Sequence, residues 1–259
     1  MSMIEFSDIV KKFNVGTPDE TTLFDKFNFS VEKGEFVSVV GSNGSGKTTM
    51  LNLLCGSLPI DGGKIELGGK DISKLTEFSR AKRIGRVFQD PQKGSASNLT
   101  ILENMALADN KNKRYLLTPA INKKRIDYYK TLLEQCEMGL ENRLDVQVGS
   151  LSGGQRQALA LVIANMSDID ILILDEHTAA LDPKSSERIM VLTDKFVKER
   201  NVTALMVTHN LRYAVEYGTR LVMMDKGQIV LDKKGREKED TKIDDILSIF
   251  NQISIECGN

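Results

Sequence analysis

Phe36-Val37-Ser38-Val39-Val40-Gly41-Ser42-Asn43-Gly44-Ser45-Gly46-Lys47-Thr48-Thr49-Met50-Leu51-Asn52-Leu53-Leu54 runs from an apolar segment through a glycine-rich turn into a helical pattern. Phe36 to Val40 is a short, mostly apolar run of strand length, ending in polar residues. Thr48 to Leu54 carries Met50, Leu51, Leu53 and Leu54, the apolar load of a helix packed on such a sheet. A strand, a tight turn and a helix in that order predict an α/β fold.

Outward from this segment the pattern repeats. Ile84 to Phe88, Ile171 to Leu174 and Ala204 to Val207 are further short apolar runs, and Ile171 to Leu174 is apolar at every position. Leu159, Val162, Ile163 and Met166 follow the spacing of one helix face. These elements predict a parallel core sheet flanked by helices. Met3 to Val10, Leu23 to Val31 and Lys64 to Leu67 are strand candidates separated by turn residues such as Asp61-Gly62-Gly63, and they predict an antiparallel β layer beside that core. Leu221 to Met224 and Gln228 to Leu231 flank Asp225-Lys226-Gly227 as a hairpin would. The stretch from Leu99 to Met166 is poor in strand signals and predicts an inserted helical subdomain. The expected organisation is a sheet domain of residues 1–89 and 167–259 with a helical subdomain at 90–166. The tail from Asp232 is charged and then offers Ile243, Ile246, Leu247 and Phe250, a short amphipathic helix expected to pack on the core.

Composition narrows the function classes. With 35 Lys plus Arg against 36 Asp plus Glu over 259 residues, the chain lacks the basic footprint of a nucleic-acid binder. No run approaches the roughly 20 apolar residues of a membrane-spanning helix. Met1 to Val10, with Glu5 and Asp8, does not resemble a signal peptide. Cys55, Cys136 and Cys257 have no metal-binding or redox spacing. The expectation is a cytoplasmic protein that reaches a membrane only through a partner.

Gly41-Ser42-Asn43-Gly44-Ser45-Gly46-Lys47-Thr48 fits the phosphate-binding loop pattern, in the required strand-to-helix context. Glycines let successive backbone N–H groups turn toward an anion, and the following helix adds its positive end. Lys47 can bridge β- and γ-phosphates, and the Thr48 hydroxyl can ligate Mg²⁺. Ile171-Leu172-Ile173-Leu174-Asp175-Glu176 ends a buried strand in two acids, one suited to hold Mg²⁺ and the next to polarise an attacking water. Gln89 and His209 follow the other two runs, so the chemistry-bearing residues are all expected beyond the carboxyl ends of strands.

Leu151-Ser152-Gly153-Gly154-Gln155 resembles the signature motif of ABC ATPases, and the other pieces follow that family's order through Ala180-Leu181-Asp182 to His209. Physically the signature is a helix start, with Ser152 and two glycines opening a second anion site. The resemblance implies a P-loop NTPase of ABC type, forming a head-to-tail homodimer when ATP binds. Each ATP would lie against Gly41 to Thr48 and Thr49 of one copy and against Ser152, Gly153, Gly154, Gln155 and Asp182 of the other. Glu176, His209 and Lys47 would be catalytic; Thr48, Gln89 and Asp175 would serve Mg²⁺. Gln89 would also sense the membrane partner. Phe13 would stack on adenine, the other reading being a core Phe closing the first strand. His177 stands where many members have proline, a variation that leaves both acids in place.

One motif set without a membrane segment resembles the separate ATPase subunits of bacterial transporters, often importers. Such a subunit works on the inner face of the membrane with a permease and an extracytoplasmic substrate-binding protein. The stretch from Val87 to Ala108 is similar to amino-acid uptake ATPases associated with tryptophan or tyrosine. A soluble ABC ATPase of a non-transport assembly, such as iron–sulfur cluster building, has the same motifs and stays open at this point.

Overall fold

The computed structural model describes residues 2–111 and 119–256, with the side chains of 253–256 left aside. Cys257 lies outside the described residues. In chain order the first elements are β1 (Ser2–Phe13), β2 (Thr21–Glu32), β3 (Phe36–Gly41), α1 (Lys47–Cys55), β4 (Gly62–Leu67), β5 (Lys70–Asp71) and α2 (Glu77–Arg80). There follow β6 (Ile84–Val87), α3 (Ile101–Asp109), α4 (Ile126–Glu134), α5 (Gly153–Asn165), β7 (Ile171–Asp175) and α6 (Pro183–Arg200). The chain then runs through β8 (Thr203–Val207), α7 (Leu211–Glu216), β9 (Arg220–Asp225), β10 (Gln228–Lys234), α8 (Arg236–Glu239) and α9 (Ile243–Glu256). These elements divide into two compact units, residues 1–81 with 201–259, and residues 82–200. The strands Ile84–Val87 and Ile171–Asp175 therefore group with the helical segment between them.

In the first unit β3 pairs in parallel with β8 on one side and β9 on the other, and β10 closes the edge antiparallel to β9. Every residue of β3 and β8 is buried, as their apolar sequences require. Beside them β2, β1, β4 and β5 form an antiparallel sheet in that order, matching the expected second layer. Its inner face is aromatic: Phe24 stacks on Phe27 at 4.6 Å between ring centroids, and Phe6 meets Phe27 edge-on at 6.1 Å. Arg220, at 4% exposure, links strands in this unit. Its guanidinium is bidentate to Asp232 at 2.7 and 2.6 Å, and it also donates to the Ser30 carbonyl at 2.7 Å.

The amphipathic tail forms α9 as expected, but only part of its apolar set faces inward. Ile246 is fully buried in a cluster with Val40, Ala214, Leu221 and Met223, and Ile249 and Phe250 pack against it. Ile243 and Leu247 remain 38% and 44% exposed. The inward face of the helix is thus centred on Ile246.

In the second unit β6 pairs in parallel with β7, Ile84 opposite Ile171 through Val87 opposite Leu174. The expected strand Ile84 to Phe88 stops one residue early, and the Phe88 carbonyl instead accepts from Gln157 Nε2 at 3.1 Å. Helix α5 is buried more widely than the spacing of Leu159, Val162, Ile163 and Met166 predicts: Gln157, Ala158, Ala160 and Leu161 are buried too. Small alanines allow close approach on two sides, a packing that a single-face reading misses.

One turn of the first unit decides where the glycine-rich loop sits. Between β9 and β10, Gly227 donates its N–H to the Ser45 carbonyl at 3.0 Å, and Asp225 accepts from Ser42 Oγ at 2.9 Å. A Cβ at Gly227 would lie 1.8 Å from the Leu23 carbonyl, and its φ of +78° is costly for other residues. Gly227→Ala is therefore expected to lower the free energy of urea unfolding by at least about 2 kcal/mol, with the nucleotide affinity of the folded fraction reduced as well.

Candidate functional site

The glycine-rich loop occupies the carboxyl end of β3, between the strand and the first turn of α1. Gly46 caps the helix at φ +104°, with no side chain to satisfy the first amides. Gly44 is at φ +79° and meets nothing where a Cβ would stand, whereas a Cβ on Gly46 would press 3.0 Å from the Phe24 ring. The N–H groups at this end are the donors an anion needs. Lys47 is buried at 5% exposure, its Nζ donating to the Gly41 and Ser42 carbonyls at 2.8 Å each and to Ser45 Oγ at 3.2 Å. Its ammonium is thus held at the rim of the loop by two carbonyls and a hydroxyl. Ser42, Asn43, Gly44 and Thr48 are exposed and Thr49 is half-buried.

His209 follows β8, the parallel neighbour of β3, and is exposed. Its segment is fixed on either side. Thr208 donates its N–H to the Val39 carbonyl at 3.1 Å, and Asn210 caps α7 by accepting from the Tyr213 N–H. Phe13 is the last residue of β1 and is 36% exposed, with Lys11 Nζ 5.6 Å from its ring centroid. It does not sit in the core.

The second unit carries the acids. Asp175 ends β7 and Glu176 follows with a left-handed φ of +48°. Both are half-buried. Asp175 Oδ2 accepts from Arg86 Nη2 at 2.7 Å, both side chains being 13% exposed. The Arg86 guanidinium also lies 4.7 Å from the Phe88 ring centroid. Gln89, beyond the end of the neighbouring strand β6, is exposed. Sequence reasoning brings Asp175, Glu176 and Gln89 to strand ends but misses Arg86. A charged residue inside the otherwise apolar Ile84 to Phe88 run is the signal that would have found it.

The segment Leu151 to Gln155 opens α5. Ser152 accepts from the Gln155 N–H while Gln155 Oε1 accepts from the Ser152 N–H at 3.2 Å, a reciprocal capping box. Ser152 and Gly153 are exposed. Gly154 has a packing reason of its own, since a Cβ there would meet Ser185 Oγ at 3.0 Å. Asp182 is exposed and accepts from the Ser185 N–H at 3.0 Å, and its bonds to Ser185 hold its pKa below the usual carboxylate range.

Oxygen donors are what Mg²⁺ prefers, and the Thr48 hydroxyl and the Asp175 carboxylate are of that kind. Among the described residues no cluster of three or more His, Cys, Asp or Glu is arranged to hold a metal by itself. The hydroxyl and the carboxylate are each the kind of donor that takes an ion carried in with phosphate oxygens and water rather than one caged by protein.

His177 is buried at 2% exposure, and desolvation pushes its pKa down to about 4 from 6.5. As the pH falls the unfolded chain takes up this proton first. The stability tied to the neutral ring is complete above pH 6.5 and drains away toward pH 4. Urea unfolding across that window is expected to show this contribution as a slope of up to about 1.4 kcal/mol per pH unit, flattened to that extent in His177→Gln.

Residues 24–179 match the family model described as ABC transporter. The chain is 43% identical over 248 residues to a tyrosine transport ATP-binding protein of Clostridioides difficile (strain R20291), covering 96% of this chain and 98% of that one. It is 33% identical over 238 residues to a phosphonates import ATP-binding protein of Ruegeria sp. (strain TM1040), covering 90% and 89%. Among solved structures, an ATP-binding cassette of an ABC transporter in its ADP conformation superposes with a TM-score of 0.80 at 26% identity, covering 100% of both chains. A dimeric ATP-binding cassette in a post-hydrolysis state with ADP and Pi gives 0.77 at 28% identity, over 90% of this chain and 98% of that one.

Proposed function

Because the chain belongs to the ABC transporter family and is an ATP-hydrolysing subunit of a transporter, we propose that it drives uptake of an aromatic amino acid, tyrosine or tryptophan, through a separate permease. The observation that carries the substrate class is the near full-length similarity to a tyrosine transport ATP-binding protein. Among the described residues no helix is long and apolar enough to cross a membrane, which agrees with a permease on another chain. In this reading the protein works on the inner face of the membrane, and an extracytoplasmic binding protein delivers the solute.

The residues divide the chemistry among them. Loop amides from Gly44 to Thr48 take the phosphate oxygens, and Lys47 neutralises the β- and γ-phosphates. Phe13, already exposed, offers its ring face to adenine. Thr48, Asp175 and Gln89 would hold Mg²⁺, which would offset charge on the phosphates. Glu176 takes a proton from the attacking water, and His209 orients that water against the γ-phosphate. Ser152, Gly153, Gly154, Gln155 and Asp182 of a second copy complete the site, so ATP itself joins the dimer. Support for that last step comes from the exposed capped start of α5 and from a structural relative solved as a dimer with ADP and Pi.

Two measurements test this. Glu176→Gln is expected to bind MgATP, lose turnover by about a thousandfold or more and elute as a dimer in size-exclusion chromatography with MgATP. A monomer under those conditions would contradict the shared site. Purification of the tagged protein from detergent-solubilised native membranes is expected to bring a multi-span permease with it. Reproducible recovery of soluble partners alone would overturn the transport assignment.

A further inference from the structure

The loop from Glu176 to Asp182 carries the acid assigned as general base, and it is tied to α6 at successive depths. At its far end Asp182 accepts from the Ser185 N–H at 3.0 Å. In its middle Ser186 Oγ, buried, donates to the Thr178 carbonyl at 3.1 Å. Deepest is His177, whose Nε2 lies 3.2 Å from Thr193 Oγ1. Thr193 is fully buried and spends its own hydroxyl proton on the Ile189 carbonyl at 2.7 Å. The Thr193 oxygen is therefore the acceptor and His177 the donor, which assigns the proton of the neutral ring to Nε2.

That bond stands directly beside a strained residue. Glu176 is not glycine, yet its φ is +48°, and its carbonyl accepts from the Ala179 N–H at 2.9 Å to close the turn. A left-handed side-chain-bearing residue persists only where its surroundings over-determine it. The next residue in the chain supplies such a constraint: a buried ring with one directed bond into a long helix.

We propose that His177, through its hydrogen bond to Thr193, is a positioning residue that locks Glu176 in its left-handed conformation and so aims its carboxylate for hydrolysis. This rests on the reading of Glu176 as general base. His177 never touches nucleotide in this scheme. Its effect falls on turnover and not on ATP affinity, because the phosphate loop that binds ATP is a separate segment.

The test is steady-state ATP hydrolysis alongside direct ATP titration of purified His177→Leu, His177→Gln, Thr193→Val, Thr193→Ser, the double variant H177L/T193V and Glu176→Gln. Gln restores a donor near the position of Nε2, and Ser restores the acceptor. Val is isosteric with Thr and keeps the core packed. His177→Leu and Thr193→Val are each expected to lower kcat about tenfold with ATP affinity within about twofold of the parent. The double variant should be no worse than the poorer single, and Gln and Ser should recover most of the lost turnover. Unchanged kcat in Thr193→Val, losses that multiply in the double variant, or affinity falling in step with kcat would each overturn the proposal. Glu176→Gln separates the two levels. If it retains turnover, the general-base reading fails. If it abolishes turnover while Thr193→Val does not lower it, only the positioning role fails.

Discussion

A helix that begins at a glycine, with no side-chain cap, is the constraint on which the first unit is built. Gly46 leaves the first turn of α1 without a side-chain cap, an arrangement that costs stability unless an anion or water takes the donors. The surrounding fold absorbs that cost. Phe24 packs where a Cβ on Gly46 would stand, the Gly227 N–H holds the Ser45 carbonyl, and Asp225 fixes Ser42. At the other end of the helix Arg80 donates to the Leu53 and Leu54 carbonyls at 2.6 and 3.0 Å, supplying a cation where the helix dipole is negative. The helix is anchored at its end so that its start can stay open.

The second unit solves a charge problem in a similar way. Two adjacent acids at the end of a buried strand repel each other and lose hydration. Arg86 supplies a counter-charge to Asp175 from the parallel neighbour strand, which leaves that carboxylate oriented before any ligand arrives. Glu176 is directed instead through its backbone, by a turn that turns its φ positive and by the buried ring that follows. Asp175 thus has its charge matched by Arg86, and Glu176 has its backbone set in a left-handed turn. Two neighbouring carboxylates at one strand end stand in different environments, the general means by which proteins give paired acids different tasks.

Much of this was legible in the residue order. The strand-loop-helix of Phe36 to Leu54, the fully apolar Ile171 to Leu174 and the hairpin around Asp225 to Gly227 are local patterns, and local patterns survive in sequence. The capping box at Ser152 and Gln155 is likewise a short-range signal. What could not be read depends on residues far apart in the chain. Ser42 with Asp225, Arg86 with Asp175 and His177 with Thr193 are pairs created by folding, and neither member alone announces the other. Leu247 shows the same limit from the opposite side. Its spacing fits the buried face of α9, yet it stays exposed, because the cluster around Val40 and Met223 receives Ile246, Ile249 and Phe250 from this helix and not Leu247.

In the proposed function the start of α1, with Lys47 at its rim, is the seat that reads the phosphates of ATP. Isothermal titration of ATP into the protein and into Lys47→Ala decides this, with thermal unfolding run in parallel to show that the variant is folded. A folded Lys47→Ala protein is expected to bind ATP about tenfold to a hundredfold more weakly, the loss of one charge-assisted phosphate contact. A folded variant that binds ATP as tightly as the parent would contradict the claim and place the nucleotide elsewhere on the molecule.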